Sequence, residues 1–534
     1  MSESISREEA WQRARDYSDE TRRGAARAVL HDLIRGVTLR SALHRHPAQG
    51  SYLAKDALVH AYREMVAAGE IPESPAVLRA LRMKPVRTLS GVATVTVLTK
   101  PYPCPGECIF CPTDERMPKS YLPDEPGARR GLEHHYDPYG QVSSRLEALK
   151  AVGHPVDKVE LLVLGGSWCA YRTDYQEWFL KHCFDAMNGV NSSTLEEAQA
   201  FNETATSRNV GLVIETRPTD ISPRTLARLR RLGVTKVQMG AQSLDDRILG
   251  LNQRGHTVAQ THKAVALLRA AGFKVVLHWM PNLLGATPES DRQDFARFWD
   301  DLCPDELKIY PTQLLANAKL YEYWQRGEYI PYTTEELISL VADIKPSIPR
   351  SCRVNRVVRD IPSVNVVAGN KRTSLRLDVQ EELARRGTPC QCIRCREVRQ
   401  KNVDVDSLKL EDQVYQAGGA EEHFLSFITP DDRLAGFLRL SLPGESSPKI
   451  NLADLDGAAI IREVHVLGQS LAVGAEREGA AQHAGLGTQL LREAELISKQ
   501  KGFNRMAVIS AVGTRRYYLE RGFARGDLYL VKSL

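Results

Sequence analysis

The sequence lacks the features that mark membrane and secreted proteins. No window of its 534 residues approaches 18 uninterrupted apolar residues, so no transmembrane helix is predicted. The first 16 residues contain no apolar stretch of the kind found in secretory signals, and we expect a cytoplasmic protein. Internal repeats and low-complexity segments are also absent. The 43% apolar and 26% charged content is typical of folded soluble proteins, not of disordered or fibrous ones, and the length suggests three or four domains.

The ten cysteines are unevenly distributed along the chain. Three lie at positions 104, 108 and 111, three at 390, 392 and 395, and four are single. In a chain of this length without a secretory signal, tight clusters indicate metal sites and not a disulfide framework.

The net charge of +5 is small, yet basic residues are concentrated in two segments. Residues 21–100 contain thirteen Lys and Arg against five Asp and Glu. Such segments are typical of phosphate-backbone binding, although a solvated helix surface explains the first of them equally well. The candidate phosphate-binding residues are Arg22, Arg23, Arg27, Arg35 and Arg40 in the first segment, and Arg353, Arg356, Arg359, Lys371, Arg372 and Arg376 in the second.

Strand and helix patterns alternate after residue 90. Candidate strands cover 92–98, 158–166, 210–216, 235–243, 274–280 and 306–312, and the clearest helix covers 257–272. Asp220 is a candidate helix cap and Gly233 a candidate helix end. This α/β alternation predicts a parallel sheet closed wholly or partly into a barrel, whose catalytic groups lie at the carboxyl ends of the strands.

A cysteine motif directly follows the first predicted strand. Cys104, Cys108 and Cys111 have the spacing C-x3-C-x2-C, which can hold three irons of a cubane cluster and leave the fourth iron open. A zinc site without its fourth ligand, or three ordinary cysteines, are the alternatives. The second predicted strand ends in Gly165-Gly166, where missing side chains allow a ligand to approach the backbone.

Together these two motifs resemble the radical S-adenosylmethionine superfamily. The resemblance implies a [4Fe-4S] cluster on the three cysteines and S-adenosylmethionine on the open iron. It further implies contacts to S-adenosylmethionine from Gly165, Gly166, Glu215 and Gln242.

A second motif lies near the carboxyl terminus. A predicted strand at 460–468 is followed by Q-x-x-G-x-G at 482–487, an amphipathic helix, a second strand and two tyrosines. Glycines before a helix expose backbone N–H groups that favour a pyrophosphate. The order resembles Gcn5-related acetyltransferases, although two surface tyrosines on a short helix remain an alternative. The acetyl-CoA contacts implied are Glu463, Val464, His465, Val466, Gln482, His483, Gly485, Leu486, Gly487, Thr488, Tyr517 and Tyr518, with Tyr517 nearest the thioester sulfur.

Long ungapped stretches, among them HHYDPYGQ, GLVIETRPTDIS, NQRGHTV and RRYYLERGF, resemble the catalytic subunit of Elongator from about residue 20 onward. The spacing of Cys104 and Cys108 is shorter than in eukaryotic members, which implies a bacterial or archaeal stand-alone form. Four domains follow: a basic helical tRNA-binding arm at 1–90, the radical barrel at 91–345, a basic linker with a cysteine-rich metal segment at 346–405, and an acetyltransferase domain at 406–534.

The resemblance implies modification of the tRNA wobble uridine. A radical derived from S-adenosylmethionine would activate the methyl group of acetyl-CoA, and addition to C5 of uridine with thioester hydrolysis would leave 5-carboxymethyluridine. Lys158 matches a family lysine associated with acetyl-CoA, although an exposed lysine at a strand start is the ordinary interpretation. We expect the acetyltransferase domain to face the barrel mouth that carries the cluster. The implied partners are the anticodon stem-loop of tRNA and an electron donor, with the protein a monomer or homodimer.

The third motif is Cys390, Cys392 and Cys395, which predicts three ligands of a structural zinc, with Cys303 or Cys352 as the fourth. A second iron–sulfur cluster or simply buried cysteines are the alternatives.

Two other functions of the chain are alternatives to tRNA modification. One is a protein lysine acetyltransferase with a structural cluster and Glu463 as general base; the other is a non-catalytic tRNA-binding scaffold.

Overall fold

The computed structural model describes residues 19–48, 52–83, 88, 91–399, 403–468 and 485–534. They form two compact units. One contains the described parts of Met1–Thr94 and Ser143–Lys158, and the other those of Val95–Val142 and Val159–Leu534. Within the described ranges, no helix combines the length and the apolar character needed to cross a membrane.

The first unit is built from short helices around an apolar core. Its helices are α1 (Glu20–Ile34), α2 (Leu39–Arg45), α3 (Lys55–Ala67) and α4 (Pro75–Leu81). The Asp19 carboxylate caps α1 by accepting from the backbone N–H groups of Thr21 and Arg22. The buried face of α1 includes Ala26, Val29, Leu30 and Leu33, which follow helical spacing.

The second unit begins with an open seven-stranded sheet of order β1-β2-β3-β4-β5-β6-β8. The pairs β3–β4, β4–β5, β5–β6 and β6–β8 are parallel. Because β1 and β8 remain at opposite ends of this order, the barrel is partial. The strands are β1 (Ala93–Leu98), β2 (Lys158–Leu164), β3 (Arg208–Thr216), β4 (Lys236–Gln242), β5 (Lys274–Trp279), β6 (Glu306–Ile309) and β8 (Arg353–Arg356).

All six predicted strands are present, and a seventh was missed. Strand β8 lies in the segment predicted as a linker. The prediction missed it because its sequence, RVNR, has no apolar alternation to indicate a strand. It is held instead by pairing with β6. A small antiparallel pair, β7 (Leu314–Leu315) with β9 (Val366–Ala368), lies outside this sheet.

Helices lie between the strands of the barrel, and two more follow its last strand. They are α5 (Pro126–Glu133), α6 (Pro138–Ala151), α7 (Thr173–Asn188), α8 (Leu195–Asn202), α9 (Pro223–Arg231), α10 (Asp246–Leu251), α11 (Val258–Ala270), α12 (Pro288–Ala296), α13 (Leu320–Gln325), α14 (Thr334–Ile344), α15 (Leu375–Arg386) and α16 (Ile393–Arg396). The predicted cap of α9 is wrong: Ser222 caps it, whereas the Asp220 carboxylate accepts from Thr216 Oγ1 at 2.9 Å. Gly233 follows α9 with a φ of 87°.

The carboxyl-terminal part forms a second seven-stranded sheet of order β10-β11-β12-β13-β14-β16-β15, in which only β13 and β14 are parallel. Helix α17 (Leu486–Gln500) precedes β14 and packs its apolar side into the core of this sheet. The elements are β10 (Lys409–Ala417), β11 (Ala420–Ile428), β12 (Leu434–Pro443), β13 (Ala458–Val466), β14 (Arg505–Val508), α18 (Arg515–Leu519), β15 (Ala524–Arg525) and β16 (Leu530–Ser533).

A buried ion cluster joins this sheet to the amino ends of the barrel strands. Asp305, directly before β6, pairs with Arg439 of β12 at 3.4 Å and with Arg462 of β13. Lys274, the first residue of β5, pairs with Glu463 of β13. The predicted packing against the cysteine-bearing mouth is therefore wrong, because the carboxyl-terminal sheet contacts the opposite end of the same strands.

Candidate functional site

The first cysteine set lies at the carboxyl end of the barrel. The loop that follows β1 carries Cys108, which is buried, and Cys104 and Cys111, which are half-buried. The Cys111 thiol donates to Cys108 and, against the effect of burial, lowers the pKa of Cys108 to about 5. Arg254 adds to this effect, since its Nη1 donates to Cys108 Sγ at 3.4 Å. This environment stabilises the Cys108 thiolate, whereas the same hydrogen bond and burial raise the pKa of Cys111 well above its usual value.

Two arginines that the sequence interpretation missed hold this loop. Arg254 is oriented by the Gly240 carbonyl at 2.8 Å, and Arg217 donates to the carbonyl of Arg254. The Arg217 guanidinium also lies against Gly106, where any Cβ would overlap it. Arg217 and Arg254 lie in GLVIETRPTDIS and NQRGHTV, two of the stretches that carry the resemblance to the Elongator subunit. Arg217 directly follows the end of β3. The position of Arg217 after a strand end was the available signal, whereas Arg254 follows helix α10 and had no such signal.

The four predicted S-adenosylmethionine contacts lie at the carboxyl ends of β2, β3 and β4. A Cβ on Gly165 would overlap Thr99 Oγ1, and Gly166 has a φ of 94°. The buried Oε1 of Gln242 has no hydrogen-bond partner within the described ranges. Glu215 Oε2 accepts from Tyr121 at 3.1 Å. A buried amide oxygen without a partner fits a polar ligand, so these residues are compatible with S-adenosylmethionine.

The second cysteine set has a tighter geometry. In the described part of the chain, Cys390, Cys392 and Cys395 are the one group of three metal-ligating residue types whose ligand atoms lie within 4.8 Å of one another. Neither predicted fourth ligand belongs to this group: the Cys303 thiol donates to the Trp299 carbonyl, and Cys352 is outside it. The first set is more open, as expected where each thiolate holds a different iron.

The predicted acetyl-CoA site centres on the start of α17. Gly485 caps this helix with a φ of 74°, and a Cβ on Gly487 would lie 2.6 Å from the Tyr517 hydroxyl. Arg521, which the sequence interpretation missed, stacks on the Tyr517 ring at 3.7 Å and donates to Thr488 Oγ1 at 3.2 Å. A cation beside exposed N–H groups of a helix start favours a pyrophosphate. Gln482 and His483 lie outside the described residues.

Strand β13 supplies the other half of this site. It pairs with β14 only from Ala458 to Ile461, although it continues to Val466. The described structure therefore has no strand beside Glu463, Val464, His465 and Val466 on that side, and an extended amide-bearing ligand can pair there. Leu486 and Tyr518 are buried in the core, and Tyr518 contacts Phe523, so Tyr517 is the tyrosine that faces the helix start.

Glu463 is unsuited to act as a general base. Its side chain is 8% exposed and pairs with Lys274 and with Arg439, the latter at 2.9 Å. Burial opposes ionisation, but Lys274, His465 and Arg439 together hold the pKa of Glu463 well below its usual range. Such a carboxylate does not accept a proton near neutral pH.

Lys158 lies at the amino end of β2, where it is half-buried. Gly165 follows the last residue of the same strand. Six steps of about 3.3 Å place the two ends of β2 about 20 Å apart. Lys158 therefore does not lie at the strand end that carries the predicted S-adenosylmethionine contacts.

The predicted tRNA-binding arginines are not equally available. Arg23, Arg27, Arg35 and Arg40 are exposed, and Arg27 pairs with Glu70 at 3.1 Å. Arg22 is buried, because it falls on the same helical face as the core residues of α1, so its predicted phosphate contact is wrong.

In the second basic segment most side chains have acidic partners. Lys371 is exposed, and Arg376 donates to the Val354 carbonyl. The ion pairs are Arg353 with Glu397, Arg356 with Asp360, Arg359 with Glu125, and Arg372 with Asp378. Of this segment, Arg356, Lys371 and Arg372 are exposed and remain placed for phosphate.

The barrel and its carboxyl-edge cysteines define the class. Residues 102–298 match the Radical SAM superfamily, and residues 304–385 match the Radical_SAM C-terminal domain. The match includes β8, which belongs to the barrel and not to a linker.

Relatives of known name extend the similarity to the second sheet. The tRNA uridine(34) acetyltransferase of Dehalococcoides mccartyi is 42% identical over 84% of this chain and 99% of its own length. Elongator complex protein 3 of Bos taurus is 37% identical over 85% of this chain and 86% of its own length. The solved archaeal Elp3 of Methanocaldococcus infernus, lacking residues 1–46, is 38% identical with a TM-score of 0.73 and covers 83% of this chain and 100% of that chain.

The chain belongs to the family of tRNA uridine(34) acetyltransferases that includes Elongator complex protein 3. This confirms the predicted family and the predicted fold class, a partial radical S-adenosylmethionine barrel with a carboxyl-terminal mixed sheet.

Proposed function

We propose that this chain modifies the wobble uridine of tRNA, building a 5-carboxymethyl group from acetyl-CoA with S-adenosylmethionine as the radical source. The observation that carries this proposal is the presence of a cysteine site and an acetyl-CoA-type site in one compact unit. A radical enzyme without acyl transfer, or an acetyltransferase without radical chemistry, needs only one of them. Because the two sites lie at opposite ends of the barrel strands, the proposal requires the acyl donor to span about 20 Å to meet the radical.

The carboxyl-edge residues bind and orient the cofactors. Cys104, Cys108 and Cys111 would each hold one iron, and Gln242 with the Gly165–Gly166 backbone would hold S-adenosylmethionine. When bound, these cofactors supply the radical chemistry that an unactivated ring carbon requires. Arg254 and Arg217 place positive charge beside the thiolates and hold the loop that carries them.

The carboxyl-terminal sheet holds the acyl donor. The N–H groups at the start of α17, together with Arg521, bind the pyrophosphate, and the unpaired side of β13 binds the pantetheine arm. Tyr517 lies over Gly487, where its hydroxyl can contact the thioester end of the ligand. Since Glu463 is tied into the ion cluster, its role is to join β13 to the barrel.

The cysteine group at 390–395 is proposed as a structural zinc site. Three thiolates on one zinc carry an excess negative charge, and Lys345 is fully buried with no hydrogen-bond partner for Nζ in the described part of the chain. Hydrogen bonds from Cys390 and Cys395 lower the pKa of Cys392 against the effect of burial. The Lys345 ammonium lowers it further. A buried cation beside three thiolates is compatible with a metal whose fourth ligand comes from outside this group.

For tRNA, the exposed Arg23, Arg27, Arg35 and Arg40 are the phosphate-binding candidates. The partner is the anticodon stem-loop, because a wobble base in a single-stranded loop leaves its stack at low cost. An electron donor and a monomeric or homodimeric state remain predictions, as does a cytoplasmic location.

The decisive test is anaerobic incubation of the reconstituted full chain with tRNA, S-adenosylmethionine and labelled acetyl-CoA, followed by nucleoside mass spectrometry. Labelled carboxymethyluridine at position 34 supports the proposal. Cys108→Ser should abolish this product, and Cys169→Ser is the matched control. If Cys108→Ser retains full activity, the radical mechanism is wrong, and acetylation of a protein lysine becomes the next hypothesis to test.

A further inference from the structure

The interior of the partial barrel is unusually polar. Barrel interiors of this kind are commonly filled by branched apolar side chains. Here the strands carry charged and amide side chains that contact one another across the sheet: Glu160, Glu215, Lys236, Gln238, His278, Glu306, Lys308 and Asn355. The residues toward the amino end form ion pairs with one another. Nearer the carboxyl end, on the side of the cysteines, His278 and Lys308 both contact the side-chain amide of Gln238.

Gln238 fixes the hydrogen-bonding state of its neighbours. Its Oε1 accepts from Lys308 Nζ and lies 3.2 Å from His278 Nε2. A lysine ammonium can only donate, so the amide oxygen of Gln238 must be the atom that faces Lys308. His278 Nε2 must therefore carry hydrogen and donate to the same oxygen.

The second nitrogen of His278 is consequently an acceptor. Burial, with the neighbouring Lys308, holds the pKa of His278 well below its usual range, so the ring is neutral. Nδ1 then bears a lone pair. It faces Glu215 Oε1 at 3.9 Å, which is longer than a hydrogen bond, and no residue in the described ranges donates to it. Two acceptors that face each other favour a hydrogen-bond donor beside them.

This acceptor pair is open to the carboxyl end of the barrel. The Glu215 side chain is 27% exposed, although it points into the barrel, and Tyr310 beside His278 is half-buried. His278 and Lys308 are direct partners in the β5–β6 register, and each is the second-last residue of its strand. They lie therefore at one depth, just inside the end that carries Cys104, Cys108 and Cys111.

We propose that His278, Gln238 and Lys308 recognise the uracil base by its imide edge. The N3–H donates to His278 Nδ1, and Gln238 and Lys308 act from the Nε2 side of the ring by holding Nδ1 in its acceptor state. This inference rests on the proposed function and names the residues that select its base. Cytosine is rejected, because its N3 is an acceptor that would face the acceptor Nδ1.

The test uses the reconstituted full chain and three anticodon stem-loops, with uridine, N3-methyluridine or cytidine at position 34. We expect the wild-type protein to form product from uridine at least about 100-fold faster, by kcat/KM, than from either analogue, since an unmet buried acceptor is heavily penalised. His278→Ala should reduce this preference to less than about tenfold. His278→Asn, which can donate to Gln238 and still accept, should restore most of it.

Asn355→Ala is the matched control, because Asn355 lies in the same interior but contacts Glu306. It should leave the preference among the three bases unchanged even if total turnover falls. Equal use of uridine and N3-methyluridine by the wild-type protein refutes the inference without any variant. So does an His278→Ala protein that changes only the affinity for S-adenosylmethionine. If the wild-type protein makes no product from uridine, the proposed function fails and the inference with it.

Discussion

Arg462 is the residue whose loss should most weaken the joint between the barrel and the carboxyl-terminal sheet. It is fully buried, and its guanidinium donates to Asp305 Oδ1 at 3.1 Å, to Glu422 Oε2 at 2.9 Å and to the Phe273 carbonyl at 3.0 Å. We consider its replacement by methionine, which keeps the apolar stem and removes the charge.

The size of the effect follows from the charge balance of the cluster. Arg269, Arg439, Arg462 and Lys274 face Asp305, Glu422, Glu463 and Glu306, four cations against four carboxylates. Removing one guanidinium leaves an uncompensated buried negative charge, which typically costs about 3–5 kcal/mol. Adding Glu422→Gln to the variant restores the balance, so the double variant should recover part of this loss.

The assay is denaturant unfolding of the full chain, combined with limited proteolysis at the joint. Arg462→Met should lower the unfolding midpoint and expose new cleavage sites around residues 440–465. Arg385→Met is the control, since Arg385 pairs with Glu382 on the surface and should change neither readout measurably. A midpoint unchanged in Arg462→Met, or a double variant no more stable than the single one, would refute this account of the joint.

Four further predictions concern the other sites. Cys108→Ser should remove the iron–sulfur absorbance of the reconstituted protein, and retained absorbance would show that the cluster has other ligands. Arg521→Ala should weaken acetyl-CoA binding by about tenfold in calorimetry, because a charge-assisted bond to phosphate is lost, while tRNA affinity stays unchanged. Metal analysis should find about one zinc per chain and clearly less in Cys392→Ser, and a zinc-free wild-type protein would contradict the site. Finally, burial raises the pKa of Asp291 to about 7, so its folded form holds a proton and stability falls as pH rises from about 4 to 7. Asp291→Asn should therefore be more stable than the wild type at pH 8, by up to about 4 kcal/mol, with a smaller gap at pH 5 in thermal melts.

Much of the fold could be predicted because it depends on local patterns. The strand at 274–280 is a short, mostly apolar run that is buried on both faces, and the helix at 257–272 repeats at helical spacing, so both were found within two residues. Strand β8 was missed because a polar strand end carries no such period. The cysteine spacing likewise identified both thiol sets, since each set lies within a single short segment.

The sequence by itself determined which chemistry is present: three cysteines after the first strand, a glycine turn before α17, and the family to which the chain belongs. Only the tertiary structure decided where these groups lie. Arg462 meets Asp305 across 157 positions, and this contact places the carboxyl-terminal sheet at the amino end of the barrel. Arg254 donates to Cys108, which lies 146 positions away in the sequence. Arg22 is buried, although its sequence context predicts an exposed cation. Local periodicity fixes which face of a strand or helix is apolar. The partner of a charged side chain depends on long-range packing, which no local pattern encodes.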